Sequence, residues 1–136
     1  MTPDPTDLPS ADGPEQQARK FQRELSAGLT SLVLLSVLSE ATEDLYGYEI
    51  AKRLSGDAER ASPFKQGALY PVLRNMSAAG LLSSRVVPSY SGPPRRYYRI
   101  TPLGREVLGS WRATWQETRA FVDSIVQRPT APETSP

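Results

Sequence analysis

The chain has 136 residues, a formal net charge of +1, and neither Cys nor His. Without these residue types, disulfides, thiol catalysis and Cys/His metal sites are excluded, and the length fits one modest domain with extensions. The first fifteen residues contain four acids and no Lys or Arg, unlike a signal peptide. The longest apolar stretch, residues 29–38, is too short to span a bilayer. We therefore expect a cytoplasmic protein that needs no cofactor, metal or membrane.

The two ends of the chain differ in composition from the part between them. Residues 1–14 and 128–136 are rich in Pro, lack hydrophobic periodicity, and are predicted to be a disordered extension and a disordered tail. A long helix is predicted from about residue 15 to residue 39. Toward its end, apolar residues cover nearly every direction around the helix. A small domain can bury only part of that surface, so a second subunit is expected to cover the rest.

Two shorter helices are predicted to follow. The first runs through residues 48–54 and ends at Gly56, and the second covers residues 66–79 and ends at Gly80. The second helix has an apolar face at helical spacing, predicted to point inward: Ala68, Leu69, Val72, Leu73 and Met76. Its other face carries Lys65, Gln66, Tyr70 and Arg74.

The period then changes from helix to strand. Residues 81–90 and 95–101 are predicted to be two strands joined by a tight turn at residues 91–94. Thr101 is predicted to cap a last helix, residues 102–127, with Pro102 at its first position. Apolar and aromatic residues recur along this helix from Leu108 to Ile125, which indicates packing on another helix. The predicted fold is mainly α: a winged helix-turn-helix over residues 15–101, followed by a C-terminal dimerisation helix.

Charge is unevenly distributed along the chain. From Arg60 to Arg105, both included, the sequence contains eight basic residues and no Asp or Glu. Such a block predicts a positive face for a polyanion, and DNA is the partner that a winged helix-turn-helix suggests. The predicted base-reading residues are Lys65 and Gln66. Tyr70 and Arg74 are predicted to contact phosphates, and Arg95 and Arg96, at the wing tip, a phosphate or a minor groove. Tyr48 fits either a DNA contact or packing.

Three motifs resemble those of the PadR-like transcriptional regulators, over roughly residues 29–106. They are "YGYEIAKRLS", "GALYPVLRNMSAAGLL" and "GPPRRYYRITPLGRE". The resemblance implies a homodimeric winged helix-turn-helix, usually a repressor, with a C-terminal dimerisation region. The single helix after the wing resembles the shorter subfamily, and the acidic N-terminal extension lies outside the family pattern.

Trp111 and Trp115 leave two readings open. Aromatic residues at helical spacing usually pack, which predicts a dimer core. The resemblance suggests the alternative, an effector pocket, because a Trp on this helix stacks against planar ligands in some drug-sensing members of the family. The protein would then be a repressor that leaves its DNA when a planar aromatic effector binds.

The predicted function is a sequence-specific DNA-binding transcriptional regulator, a homodimer on a pseudo-palindromic site. The alternative is a winged-helix interaction module without DNA binding, which the intact basic block disfavours. An enzyme is not expected. Without His or Cys, a catalytic nucleophile would have to be Ser or Thr, and its general base Asp, Glu or Lys. Glu43 and Asp44 are adjacent in sequence and do not face a common point.

Overall fold

The computed structural model describes residues 13–56, residue 59 and residues 61–132. Helix α1 spans Pro14–Glu40, strand β1 Leu45–Tyr46, helix α2 Gly47–Leu54 and helix α3 Gln66–Ala78. Strands β2 (Leu82–Ser89) and β3 (Gly92–Ile100) form the wing, and helix α4 spans Pro102–Val126. The predicted disorder of residues 1–14 and 128–136 falls mostly outside the described residues, while α1 already begins at Pro14.

The core lies where α1, the two short helices and the sheet meet. The inward residues of α3 include Leu69, Leu73 and Met76, as the helical spacing predicts. The remaining buried members are Leu34, Leu35, Leu38, Leu45, Ile50, Leu81, Leu82, Tyr98, Ile100 and Leu108. Ala68 was also predicted to face inward, and this is wrong: Ala68 is exposed because it lies about 100° around the helix from Leu69.

The sheet has three strands in the order β1-β3-β2, all antiparallel. Strand β1 is only two residues long and pairs Leu45 with Tyr98 and Tyr46 with Tyr97. Beyond Tyr97 toward the hairpin, β3 therefore pairs with β2 alone. Tyr98 and Ile100 are buried, so this side of β3 faces the core.

The hairpin differs from the predicted tight turn at residues 91–94. The turn is at Tyr90 and Ser91, and β3 already begins at Gly92. Prolines are tolerated in this strand because its first part lacks a β1 neighbour and faces an irregularity in β2 between Val87 and Ser89. Consequently Arg95 and Arg96 lie within the strand, opposite Val87 and Val86, and their predicted position at the wing tip is wrong.

The start of α4 is fixed against the exit of α3. The Thr101 side chain accepts a hydrogen bond from the Gly104 amide (3.0 Å) and donates one to the Gly80 carbonyl (2.6 Å). The Thr101 amide donates to the Leu81 carbonyl at 3.1 Å. Gly104 is buried, and any Cβ there would collide with that Leu81 carbonyl oxygen. The absence of a side chain at Gly104 thus allows α4 to approach the backbone of the segment between α3 and β2 closely.

The far parts of the two long helices remain uncovered in the single chain. Phe21 on α1 is 65% exposed, and Phe121 and Val126 on α4 are 69% and 67% exposed. Within the described residues, no helix is both long and apolar enough to cross a membrane.

Candidate nucleic-acid interface

Helix α3 presents its polar N-terminal end to solvent. Lys65 is the N-cap residue with an extended backbone, and Gln66 is the first helical residue; both side chains are exposed. The side-chain amide of Gln66 (Nε2) donates a hydrogen bond to the Tyr70 hydroxyl one turn later, at 3.4 Å. Arg74 follows one turn later and is exposed. Gln66, Tyr70 and Arg74 are spaced four residues apart and therefore form one line along the helix, beside its buried face.

Tyr70 links this line to the start of α2. Its ring is half-buried and packs against the core. A Cβ at Gly47 would lie only 2.5 Å from Cε1 of Tyr70, so the ring occupies the space that a side chain would need. Tyr48, the next residue, is 56% exposed, which leaves its predicted DNA contact sterically open.

A cleft of about 310 Å³ lies between α3, the start of α2 and β3. It is lined by Tyr46, Gly47, Tyr48, Tyr70, Arg74, Arg95, Arg96 and Tyr98. The structure thus brings five of the predicted DNA-contacting residues to one cleft, with Gln66 and Lys65 at the adjoining helix end. Among the residues that the structure describes, no acid lines the cleft, and the charged groups there are all arginines.

The other two arginines of the wing share one acid from outside the basic block. Asp44 contacts Arg85 at 3.0 Å and Arg99 at 2.5 Å, and its side chain is only 13% exposed. The hydrogen bond from Arg85, with that from Arg99 and the charges of both guanidinium groups, lowers the pKa of Asp44 despite the opposing effect of burial. These contacts join segments 41 and 55 residues apart, so no local sequence signal announces them.

Sequence reasoning missed two aromatic residues at this surface. Tyr46 stacks with Tyr48 (6.1 Å between ring centroids), contacts Tyr97 (5.6 Å) and lies beneath Arg95. Tyr90 is fully exposed at the wing tip, where Arg95 and Arg96 were expected. Tyr98 alternates with Ile100 along β3, and both are buried, so strand period alone places Tyr98 in the core. A two-residue strand such as β1 has no period that could reveal Tyr46.

Trp111 and Trp115 lie away from this surface, in a groove between α1 and α4 of the same chain. The groove measures about 490 Å³ and is walled mainly by apolar α1 residues that include Leu25, Leu29 and Leu32. Trp111 packs partly against the core, whereas Trp115 is 37% exposed. Both tryptophans therefore line the groove, but Trp111 is also anchored in the core, whereas Trp115 is the more exposed of the two.

Comparison with known proteins agrees with this architecture. The family model described as "Transcriptional regulator PadR-like family" matches residues 34–110, more than half of the chain. The chain belongs to the PadR-like family. Transcriptional regulator Rv3488 of Mycobacterium tuberculosis is 38% identical over 102 residues, covering 73% of this chain and 83% of that protein.

Solved structures of PadR-like proteins share the fold. A PadR family transcriptional regulator from Eggerthella lenta superposes with a TM-score of 0.68 at 30% identity, covering 85% of this chain and 96% of that one. A PadR-like transcriptional regulator from Bacillus cereus gives a TM-score of 0.62 at 27% identity, covering 78% and 99%. The chain is therefore a PadR-like transcriptional regulator with a winged-helix fold, as its motifs predict.

Proposed function

We propose that this PadR-like regulator binds double-stranded DNA sequence-specifically, as a homodimer. The observation that carries the proposal is the composition of the α3–wing surface. Lys65, Arg74 and Arg95 are exposed and make no ion pair within the described part of the chain, whereas Arg85 and Arg99 are both held by Asp44. Unpaired cations concentrated beside an exposed helix end match the phosphate and base contacts of a recognition helix.

Each predicted residue has a separate role in this proposal. Lys65 and Gln66, at the start of α3, read base edges in the major groove, where Gln pairs with adenine and Lys donates to guanine. Tyr70 and Arg74 contact phosphates along the helix, Arg95 and Arg96 contact them from the wing, and Tyr48 does so from α2. The exposed apolar ends of α1 and α4 form the subunit contact. The two recognition helices then meet half-sites about 10 bp apart, or a multiple of that.

The salt dependence of binding tests the proposal. A duplex is first selected from random DNA by the purified protein, and affinity for it is measured from 50 to 200 mM salt. If a dimer neutralises on the order of 8 phosphates, a plot of log affinity against log salt concentration falls with a slope of about −7. Replacing Arg95 and Arg96 with Ala should flatten the slope. The charge-matched control replaces Arg19 and Arg23, exposed on α1, and should leave it unchanged.

Gln66→Ala tests the base-reading role separately. It should reduce the preference for the selected duplex over random DNA by about 1–3 kcal/mol for each base read. Equal weakening on both DNAs would contradict that role. Absence of any selected sequence, with binding insensitive to salt, would instead favour the interaction-module alternative.

We further propose that the regulator is a repressor released by a planar aromatic compound in the Trp115 groove. The groove is apolar, bordered by an exposed indole, and adjoins α4, which connects directly to the wing. A ligand weakens DNA binding only if it favours a dimer geometry that fits the operator poorly, and operator DNA must then weaken ligand binding equally. Planar compounds should quench Trp fluorescence, and Trp115→Ala should remove that quenching while DNA binding survives.

A further inference from the structure

Tyr46 occupies a position that its backbone fixes from two sides. It pairs with Tyr97 in the sheet, and its amide donates a hydrogen bond to the Glu49 carboxylate at 3.1 Å, at the start of α2. The ring is further held between Tyr48 and Tyr97. The side chain is therefore a rigid aromatic platform beside the cleft.

Arg95 extends over this platform. Its guanidinium carbon lies 4.6 Å from the centroid of the Tyr46 ring, within the range of a cation–π contact. Neither an ion pair nor a side-chain hydrogen bond is formed by Arg95 among the described residues. A long, exposed arginine otherwise samples many rotamers, and fixing one costs up to about 2 kcal/mol of side-chain entropy. The ring reduces that cost before any partner arrives.

The wing orders its outward arginines by two different means. Asp44 holds Arg85 and Arg99 through their N–H groups, and its negative charge offsets one of their two positive charges. Arg85 also lies over the Tyr97 ring, 5.3 Å from its centroid. The Tyr46 ring instead lies beneath the Arg95 guanidinium, with Cζ 4.6 Å from the ring centroid. A neutral ring does not offset the positive charge, and no acceptor among the described residues takes the N–H donors. Both therefore stay available for a phosphate, which an arginine can bind bidentately.

We propose that Tyr46 is a positioning residue for DNA binding: it holds Arg95 in the orientation in which its free N–H groups meet a backbone phosphate at the cleft. This inference rests on the proposed DNA-binding function. Because Tyr46 acts through Arg95, removing the ring costs affinity only while Arg95 is present. A purely structural Tyr46 would cost the same affinity in both backgrounds.

A double-mutant cycle on the selected duplex tests this coupling. Tyr46→Leu should weaken binding about two- to fivefold for each protomer engaged, the range expected of an exposed cation–π contact. Tyr46→Phe keeps the ring and should bind like the wild type. In an Arg95→Ala background, Tyr46→Leu should add no further loss. An equal further loss in that background, or a weakened Tyr46→Phe, overturns the proposal.

The outcomes distinguish the positioning role of Tyr46 from the DNA-binding function on which it rests. If Arg95→Ala itself leaves DNA affinity and its salt slope unchanged, the wing contact proposed above fails. If Arg95→Ala weakens binding while Tyr46→Leu does not, only the positioning role fails. Should Tyr46→Leu not fold, NMR of the wild-type protein decides the matter. Ring current should shift the Arg95 side-chain protons upfield relative to those of Arg96, and unshifted Arg95 protons overturn the proposal.

Discussion

Gly104→Ala tests whether the junction between α4 and the exit of α3 stabilises the fold. The added Cβ would collide with the Leu81 carbonyl oxygen and lie 2.8 Å from Cγ1 of Ile100. The Leu81 carbonyl cannot rotate away, because it also accepts the Thr101 amide. Inserting a methyl group into such a site costs about 1–3 kcal/mol, which exceeds the gain of up to about 1 kcal/mol from Ala in a helix. We therefore expect a net loss of unfolding free energy.

Gly109→Ala is the matched control. It lies on the same helix, and nothing is within 4 Å of a Cβ built there. It also lies about 150° around α4 from the Leu108–Ile125 seam, so a partner subunit on that seam would not meet it. The control should gain about 0.5–1 kcal/mol from helix propensity alone.

Urea unfolding at fixed protomer concentration measures the difference between the two variants. Because both variants gain the helix propensity of Ala, Gly104→Ala should fall below Gly109→Ala by the overpacking cost of about 1–3 kcal/mol, through a lower midpoint at unchanged m. For a chain of this size, this corresponds to about 4–10 °C in Tm. Equal stability of the two variants would refute the close backbone contact at Gly104.

Two further substitutions probe the interface. Because the pKa of Asp44 is lowered by its arginine contacts, its stabilising effect should be complete above the unfolded pKa of about 3.9 and disappear as pH falls through the lowered value. The stability difference between wild type and Asp44→Asn should thus be constant from pH 7 to about pH 5 and shrink below about pH 4, whereas a difference independent of pH would exclude these ion pairs. Gly47→Ala should displace the Tyr70 ring, which can rotate, so we expect weaker DNA binding with a stability change under about 1 kcal/mol; an unchanged DNA affinity would exclude a role for the Tyr70 position.

The helices and the core of the wing could be predicted because their signals are local. Hydrophobic spacing located α1, α3 and α4 to within a residue or two, and alternation assigned Tyr98 to the core. Strand β1 could not be predicted, since two residues carry no period and exist as a strand only through their pairing with β3. The turn was misplaced because Gly-Pro-Pro is a strong turn signal, and nothing local reveals that this part of β3 has a free edge.

The candidate site follows the same division. Sequence placed Lys65, Gln66 and Arg74 on the exposed face of one helix, because that is a matter of helical spacing. It could not distinguish the wing arginines from one another. Arg85 and Arg99 differ from Arg95 only through Asp44 and Tyr46, which are separated from them by about forty residues or more and reach them through tertiary structure.

If α4 turned as a rigid body about its contact with the Leu81 carbonyl, Gly104 would be the pivot of that rotation. For a rigid helix, the rotation at the pivot equals the displacement divided by its distance from the pivot. Trp111 lies about 10 Å along the axis from Gly104, and Ile125 about 32 Å. A push of one ångström at Trp111 therefore turns α4 about three times as far as the same push at Ile125. A small displacement therefore rotates the helix most when it acts close to Gly104, where the tryptophans lie, and least when it acts at the far end of α4.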